Sequence, residues 1–180
     1  MEALSQSRTQ PSIPSIPHEL VRSLIEYDPR SGVLRWRVNR SGGVKAGDVA
    51  GSRRASGYVI VGVGGRHVLA HRLAWFWMRG SWPASQIDHR DGNPSNNAWA
   101  NIRQATQAQN QRNRGMHKSN RVGLKGVKER TRDGRPTGKF RACIRVDNKQ
   151  RWLGTFDTPE MAYAAYVQAV KKHYGPFARV

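Results

Sequence analysis

Apolar residues recur along this chain with two different periods, and the changes between them outline its elements. From His18 to Tyr27, the positions Leu20, Val21, Leu24 and Ile25 fall at helical spacing and predict a short helix. Asp28-Pro29-Arg30-Ser31-Gly32 reads as a turn, and Val33 to Val38 as a strand. Tyr58 to Val63 and His67 to Leu69 predict a hairpin around Gly64-Gly65. An aromatic-rich helix follows near His71 to Met78, with Leu73, Phe76 and Trp77 expected to pack a first core. Residues 87 to 114 then read as strand, long polar loop, return strand and helix. Thr106-Gln107-Ala108-Gln109 has the capping-box pattern, so that last helix should begin at Gln107.

Beyond a basic, aperiodic stretch from Gly115 to Val122, the pattern changes again. Leu124 to Lys128, Lys139 to Val146 and Gln150 to Thr155 read as three strands, with turns at Arg132-Asp133-Gly134 and Asp147-Asn148-Lys149. Thr158-Pro159-Glu160 opens a helix with a capping hydroxyl, a proline in the first turn and an early acid. Ala162, Ala165, Tyr166 and Ala169 form its expected inner stripe, and Gly175 its stop. The expected organisation is a Ser/Gln/Pro-rich disordered or extended lead-in (1–17), an N-terminal region, β-rich at first, with a core motif (18–114, core 67–114), a linker (115–122) and a C-terminal domain (123–180). The fold class is α+β.

Charge narrows the function. The 180 residues carry 31 Lys and Arg against 12 Asp and Glu, a formal +19. Residues 103 to 151 hold 15 of those cations against only Glu129, Asp133 and Asp147. Such a surplus suits a polyanion, whose condensed counterions are released on binding. On charge alone, a ribosomal or generally adhesive basic protein is equally admissible. Between Asp48 and Glu129 the only carboxylates are Asp88 and Asp91. A carboxylate weakens phosphate binding, so two inside a basic stretch need a reason, and metal binding is one. Cys143 is the single cysteine, which excludes an internal disulfide or a cysteine zinc knuckle and fits a reducing cytosol. With no apolar run near membrane length and no signal-peptide core, the expectation is a soluble, cytoplasmic protein.

The segment from Asp88 to Asn101 carries the candidate chemistry. Phosphodiester hydrolysis needs a base to activate water and a Lewis acid to take charge from the phosphate. Histidine suits the first task near neutral pH, and hard oxygen ligands suit Mg²⁺. The Asp88-His89 pair, the Asp91-Gly92-Asn93 turn, Asn96-Asn97, Asn101-Ile102-Arg103 and Asn110 together resemble the HNH homing-endonuclease family of phages and mobile elements, over about residues 67 to 114. His71-Arg72-Leu73-Ala74 opens the similarity. A lone Asp-His pair would be read as a plain turn; five spaced elements make the resemblance specific. It implies a ββα-metal nuclease domain in which His89 is the general base, Asp88 and Asn110 are metal ligands for Mg²⁺ (or Mn²⁺), and Asn101 braces the loop and orients His89. Asp91 reads as a turn residue, and His71 either touches DNA or packs the core.

Residues 123 to 177 resemble the plant ethylene-response-factor type of DNA-binding domain, a three-stranded antiparallel sheet packed on one helix. The matching stretches are Lys125 to Lys128, Lys139 to Ala142, Ile144-Arg145, Trp152 to Thr158 and Ala162 to Ala165, with Trp152-Leu153-Gly154-Thr155-Phe156 the most specific. The resemblance implies a sheet lying on double-stranded DNA, with Lys125, Lys128, Arg130, Lys139, Arg145, Arg151, Trp152 and Thr155 facing it. Residues 131 to 138 look longer than the family's first turn, and Cys143 and Gln150 depart from its usual residues, so base preference does not carry over. No protein partner is implied. The resulting expectation is a metal-dependent DNA endonuclease with a DNA-binding module. The alternatives are a DNA-binding regulator with an inactive HNH half, or a structural RNA-binding protein.

Overall fold

The computed structural model describes residues 16–117, 119–147 and 149–178. The expected lead-in at 1–15, the turn residue Asn148 and Lys118 in the 115–122 stretch lie outside them. The protein is α+β with small antiparallel sheets, and it divides into two compact units, Met1–Gln104 and Ala105–Val180.

In the first unit α1 (His18–Leu24) is followed at once by β1 (Ile25–Tyr27), which pairs antiparallel with β2 (Leu34–Trp36). The sequence predicts a helix running on to Tyr27. It stops earlier because Ile25 and Tyr27 are buried on either side of exposed Glu26, a period of two that only a strand satisfies. A second sheet joins β3 (Ser52–Arg53), β4 (Val59–Val63) and β5 (Arg66–Leu69) in that order. The helix α2 (Ala70–Arg79) follows directly and ends at Gly80 in a left-handed cap. Leu73 and Phe76 enter the core with Val21, Ile25, Trp36, Val61 and Ile87. Trp77 is half-buried at its edge, donating from Nε1 to the Ile25 carbonyl at 3.1 Å beneath the Arg22 guanidinium. The two-stranded sheet of β6 (Gln86–His89) and β7 (Ile102–Ala105) closes the unit.

The second unit opens with α3 (Gln107–Arg112), which starts where the capping box predicts, with both of its reciprocal hydrogen bonds formed. Then come β8 (Val127–Arg132), β9 (Arg135–Val146), β10 (Lys149–Phe156) and α4 (Pro159–Tyr174), with β9 central in the sheet. The 131–138 stretch, which the sequence suggests is a long first turn, is instead the end of a longer hairpin. Asp133 and Gly134 make a two-residue turn with φ of 51° and 76°, the pair of positive values a type I′ turn requires. Pro136 is tolerated in β9 because it pairs only with Thr131, beyond the stretch covered by β10. On the other face, Val127, Ala142, Ile144 and Val146 meet Ala162, Tyr166, Val170 and Tyr174 of α4. Gly126 is needed at this junction: a Cβ there would lie 2.1 Å from the Tyr166 ring. The division between units falls ahead of the 115–122 stretch because α3 packs with C-terminal elements. The Arg112 carbonyl accepts from Lys125 Nζ at 3.3 Å, and its guanidinium lies 5.2 Å from the centre of the Tyr174 ring. Among the described residues no helix is long and apolar enough to cross a membrane.

Candidate active site and nucleic-acid interface

Asp88 and His89 end β6, both nearly fully buried, at 3% and 5% exposed. Arg103 reaches Asp88 from the paired strand β7, with Nε and Nη2 each 2.8 Å from Oδ2. The loop from Arg90 to Asn101 is built from side-chain amides. Asn101 accepts from the Asp91 amide at 3.0 Å and donates to Asp91 Oδ1 at 3.0 Å and to the Asn96 carbonyl at 2.7 Å. Asn96 Nδ2 donates to the other Asp91 oxygen at 2.7 Å. Burial raises the Asp91 carboxyl, but these hydrogen bonds, one from the Asn93 amide and the charge of His89 together hold it below its usual range. Asp91 is therefore the anion around which the loop is tied. Asn101 braces that loop.

The side chain at the His89 ring is Asn97, whose Oδ1 lies 3.1 Å from Nε2. Asn97 Nδ2 donates to the Ser95 carbonyl at 3.3 Å, which leaves its oxygen facing the ring. Asn97 is held in turn by the N-terminal strands. Tyr27 Oη donates to its carbonyl at 2.8 Å, and a Cβ on Gly32 would come within 2.2 Å of the Asn97 carbonyl carbon. In the sequence Asn97 stands out only as one of an Asn-Asn pair, and the resemblance assigns the orienting task to Asn101. Long-range contacts from Tyr27 and Gly32 carry no signal in a local motif.

His71, on the first turn of α2, is buried with its ring edge-on to His89, centroids 5.1 Å apart. Tyr58 stands against both rings, at 5.5 and 6.0 Å. Burial, then the charges of His89 and Arg72, push the His71 imidazole down to about 3, so it is neutral at any ordinary pH. Asn110 lies half-buried on α3, in the second unit. Among the described residues no three His, Cys, Asp or Glu side chains gather into a metal cluster. A ligand set here would draw on the Asp88 carboxylate and amide oxygens, hard donors that fit Mg²⁺ better than zinc.

In the C-terminal sheet, Ala142, Ile144 and Val146 point to α4, so Arg141, Cys143 and Arg145 alternate onto the opposite face. Register adds Lys128 and Thr155 opposite Arg141, Trp152 opposite Cys143 and Gln150 opposite Arg145. Trp152 is 60% exposed with Arg141 5.5 Å from its ring centre, an unusual position for a tryptophan with no partner to cover. Lys139 pairs with Asp157, and Arg130 is exposed beside the bulge in β8. Arg151 pairs with Ile144, so its register position belongs to the helix-facing side. Lys125 precedes the sheet and is half-buried. Arg141 joins this face although the resemblance does not single it out; its alternation with Ala142 along β9 is the signal that marks it.

A model of the HNH endonuclease family matches residues 68–112, and the chain belongs to the family of Protein 3.8 of Escherichia phage T7. It is 34% identical to that phage protein over 113 residues, which are 61% of this chain and 87% of the phage protein. Two proteins of Arabidopsis thaliana are similar over shorter stretches. Dehydration-responsive element-binding protein 2A is 39% identical over 69 residues, and its 2D counterpart 47% over 58 residues, 37% and 31% of this chain. The chain spans only 19% and 26% of those two plant proteins. No solved structure matches.

Proposed function

We propose that the protein is a metal-dependent, homing-type HNH endonuclease that hydrolyses phosphodiester bonds of double-stranded DNA and is anchored by its C-terminal domain, residues 123–180. The observation that carries the reading is the His89 ring held by Asn97, one residue after the buried Asp88. The His89 imidazole takes a proton from water as the water oxygen bonds to phosphorus, and Asn97 holds the ring in place. The bond from phosphorus to the leaving oxygen breaks, and that oxygen takes a proton from solvent. Asp88 and Asn110 are the oxygen ligands in this reading, on the position each holds in the matched segment. A divalent ion, Mg²⁺ or Mn²⁺, would supply charge neutralisation on the phosphate and the leaving oxygen. Asn101 keeps the loop closed around Asp91.

Lys128, Lys139, Arg141, Arg145, Trp152 and Thr155 form the DNA-facing surface, with Lys125, Arg130 and Arg151 flanking it. Arginine and lysine neutralise phosphates, and the exposed Trp152 supplies an apolar face for the bases or sugars. Two plant relatives named for binding a responsive element support a DNA role for this domain. Incubating supercoiled plasmid with the protein in Mg²⁺ or in EDTA tests the reading. Relaxed or linear product in Mg²⁺ alone is expected, and intact plasmid in both overturns it.

A further inference from the structure

Three arginines of the second unit converge on one cleft that neither the motif nor the sheet face accounts for. Arg112 ends α3, Arg114 follows two residues later, and Arg145 comes from β9. Together with Gln111 and Tyr174 they line a space of about 640 Å³. Its walls are tied together. The Arg112 guanidinium lies over the Tyr174 ring at 5.2 Å, the Tyr174 hydroxyl donates to the Arg145 carbonyl at 2.8 Å, and Lys125 Nζ donates to the Arg112 carbonyl at 3.3 Å.

A guanidinium lying over an aromatic ring has lost most of its rotamer freedom while its N–H edge stays able to grip an oxyanion. The cost of ordering the side chain is met before any ligand arrives, which distinguishes Arg112 from a solvated surface arginine. Arg114 and Arg145 are exposed and add charge at the rim. Opposing them is one acid, Asp147, in the turn after β9. The local balance is three cations to one anion. Arg145 also belongs to the outer sheet face, so the cleft continues that surface onto the helix that carries Asn110.

We infer that the cleft between α3 and the end of β9 is a phosphate-binding site, and that Arg112, with Arg114 and Arg145, grips a backbone phosphodiester of the duplex bound on the sheet. The inference rests on the proposed DNA-binding function and deepens it, by extending the binding surface from the recognition sheet to the last helix of the nuclease motif. Asp147 tempers the site: its carboxylate repels the same phosphate that the arginines attract.

The test measures binding of a mixed-sequence DNA duplex to the full-length His89→Ala protein in EDTA, by fluorescence anisotropy between 50 and 200 mM salt. Arg112→Ala and the exposed Arg114→Glu should each weaken binding and make the dependence of log affinity on log salt shallower, by about 0.9 for each phosphate no longer neutralised. The gap to the parent then narrows by about 3.5-fold across that salt range for each such phosphate. Asp147→Asn should tighten binding, an effect that misfolding cannot imitate. Arg112→Lys keeps the charge without the two-pronged edge and should recover only part of the affinity. If the parent binds the duplex but all three of Arg112→Ala, Arg114→Glu and Asp147→Asn match it in affinity and slope, the cleft is not a phosphate site. If the parent itself does not bind, the proposed function fails first.

Discussion

The ring of His71 stands edge-on to that of His89, with centroids 5.1 Å apart and planes crossing at 79°. Burial, and then the charges of His89 and Arg72, keep His71 neutral, its pKa pushed down to about 3 from an ordinary 6.5. Below pH 6.5 the unfolded chain takes up a proton at His71 that the folded chain refuses. Stability should therefore fall as the pH drops from about 6.5 toward 3, by up to about 1.4 kcal/mol per pH unit from this group. His71→Phe keeps a ring in place and removes the proton site. Urea midpoints at pH 7 and pH 5 should differ less in that variant than in the wild type; an equal drop in both would show that His71 is not the acid-sensitive group.

Gly32 braces the loop from Arg90 to Asn101 by backbone approach. At φ +76° an alanine would be strained, and its Cβ would also collide with the Asn97 carbonyl carbon and the Ala98 nitrogen, 2.2 Å away. Gly65 has a similar φ of 70° with nothing within 4 Å. Gly65→Ala should cost only the conformational strain, about 1–3 kcal/mol. Gly32→Ala should cost more and also lower kcat, because Asn97 is displaced from His89. Thermal unfolding and cleavage assays on both variants check this. Equal losses of stability with normal cleavage in Gly32→Ala would remove the bracing role.

Metal dependence supplies the next expectation. Asp88→Ala and Asn110→Ala each delete an oxygen ligand of the proposed set, so each should raise the Mg²⁺ concentration needed for half-maximal cleavage. Asp88→Ala should have a second effect, because Arg103 Nε and Nη2 both lose the oxygen they contact, so this variant should also melt earlier. Unchanged Mg²⁺ titrations for both variants would place the ligands elsewhere.

On the C-terminal sheet, half-buried Arg141 and exposed Trp152 form a cation–aromatic pair on the face away from α4. Arg141→Ala and Trp152→Ala should weaken DNA binding while leaving the unfolding temperature near that of the wild type, since neither side chain enters the core. Arg151→Ala, at a helix-facing register position, should change affinity less. Anisotropy binding curves that rank Arg151→Ala as the worst of the three would contradict the register argument.

Much of this is legible in the sequence, for local reasons. The capping box at Thr106, the stop at Gly175 and the period-two stretch of β9 are encoded within a few residues, and each sits where the pattern puts it. The motif spacing brings Asn101 to Asp91 and Arg103 to Asp88 because strand, loop and return strand are short and consecutive. What is not legible depends on residues distant in sequence. Ile25 leaves the helix because Trp36 pairs with it, and Asn97 reaches His89 because Tyr27 and Gly32 hold its backbone. The 131–138 stretch resembles a loop because Asp133-Gly134, a strong hairpin signal, lies between charged residues with no apolar alternation to mark the strands.

The central claim is that His89 is the general base of a DNA-cutting site, and its replacement tests this most directly. His89→Ala should lower the rate of Mg²⁺-dependent plasmid cleavage by about 10²–10⁴ while its affinity for duplex DNA stays near that of the wild type. Near-wild-type cleavage by a folded His89→Ala protein would contradict the account.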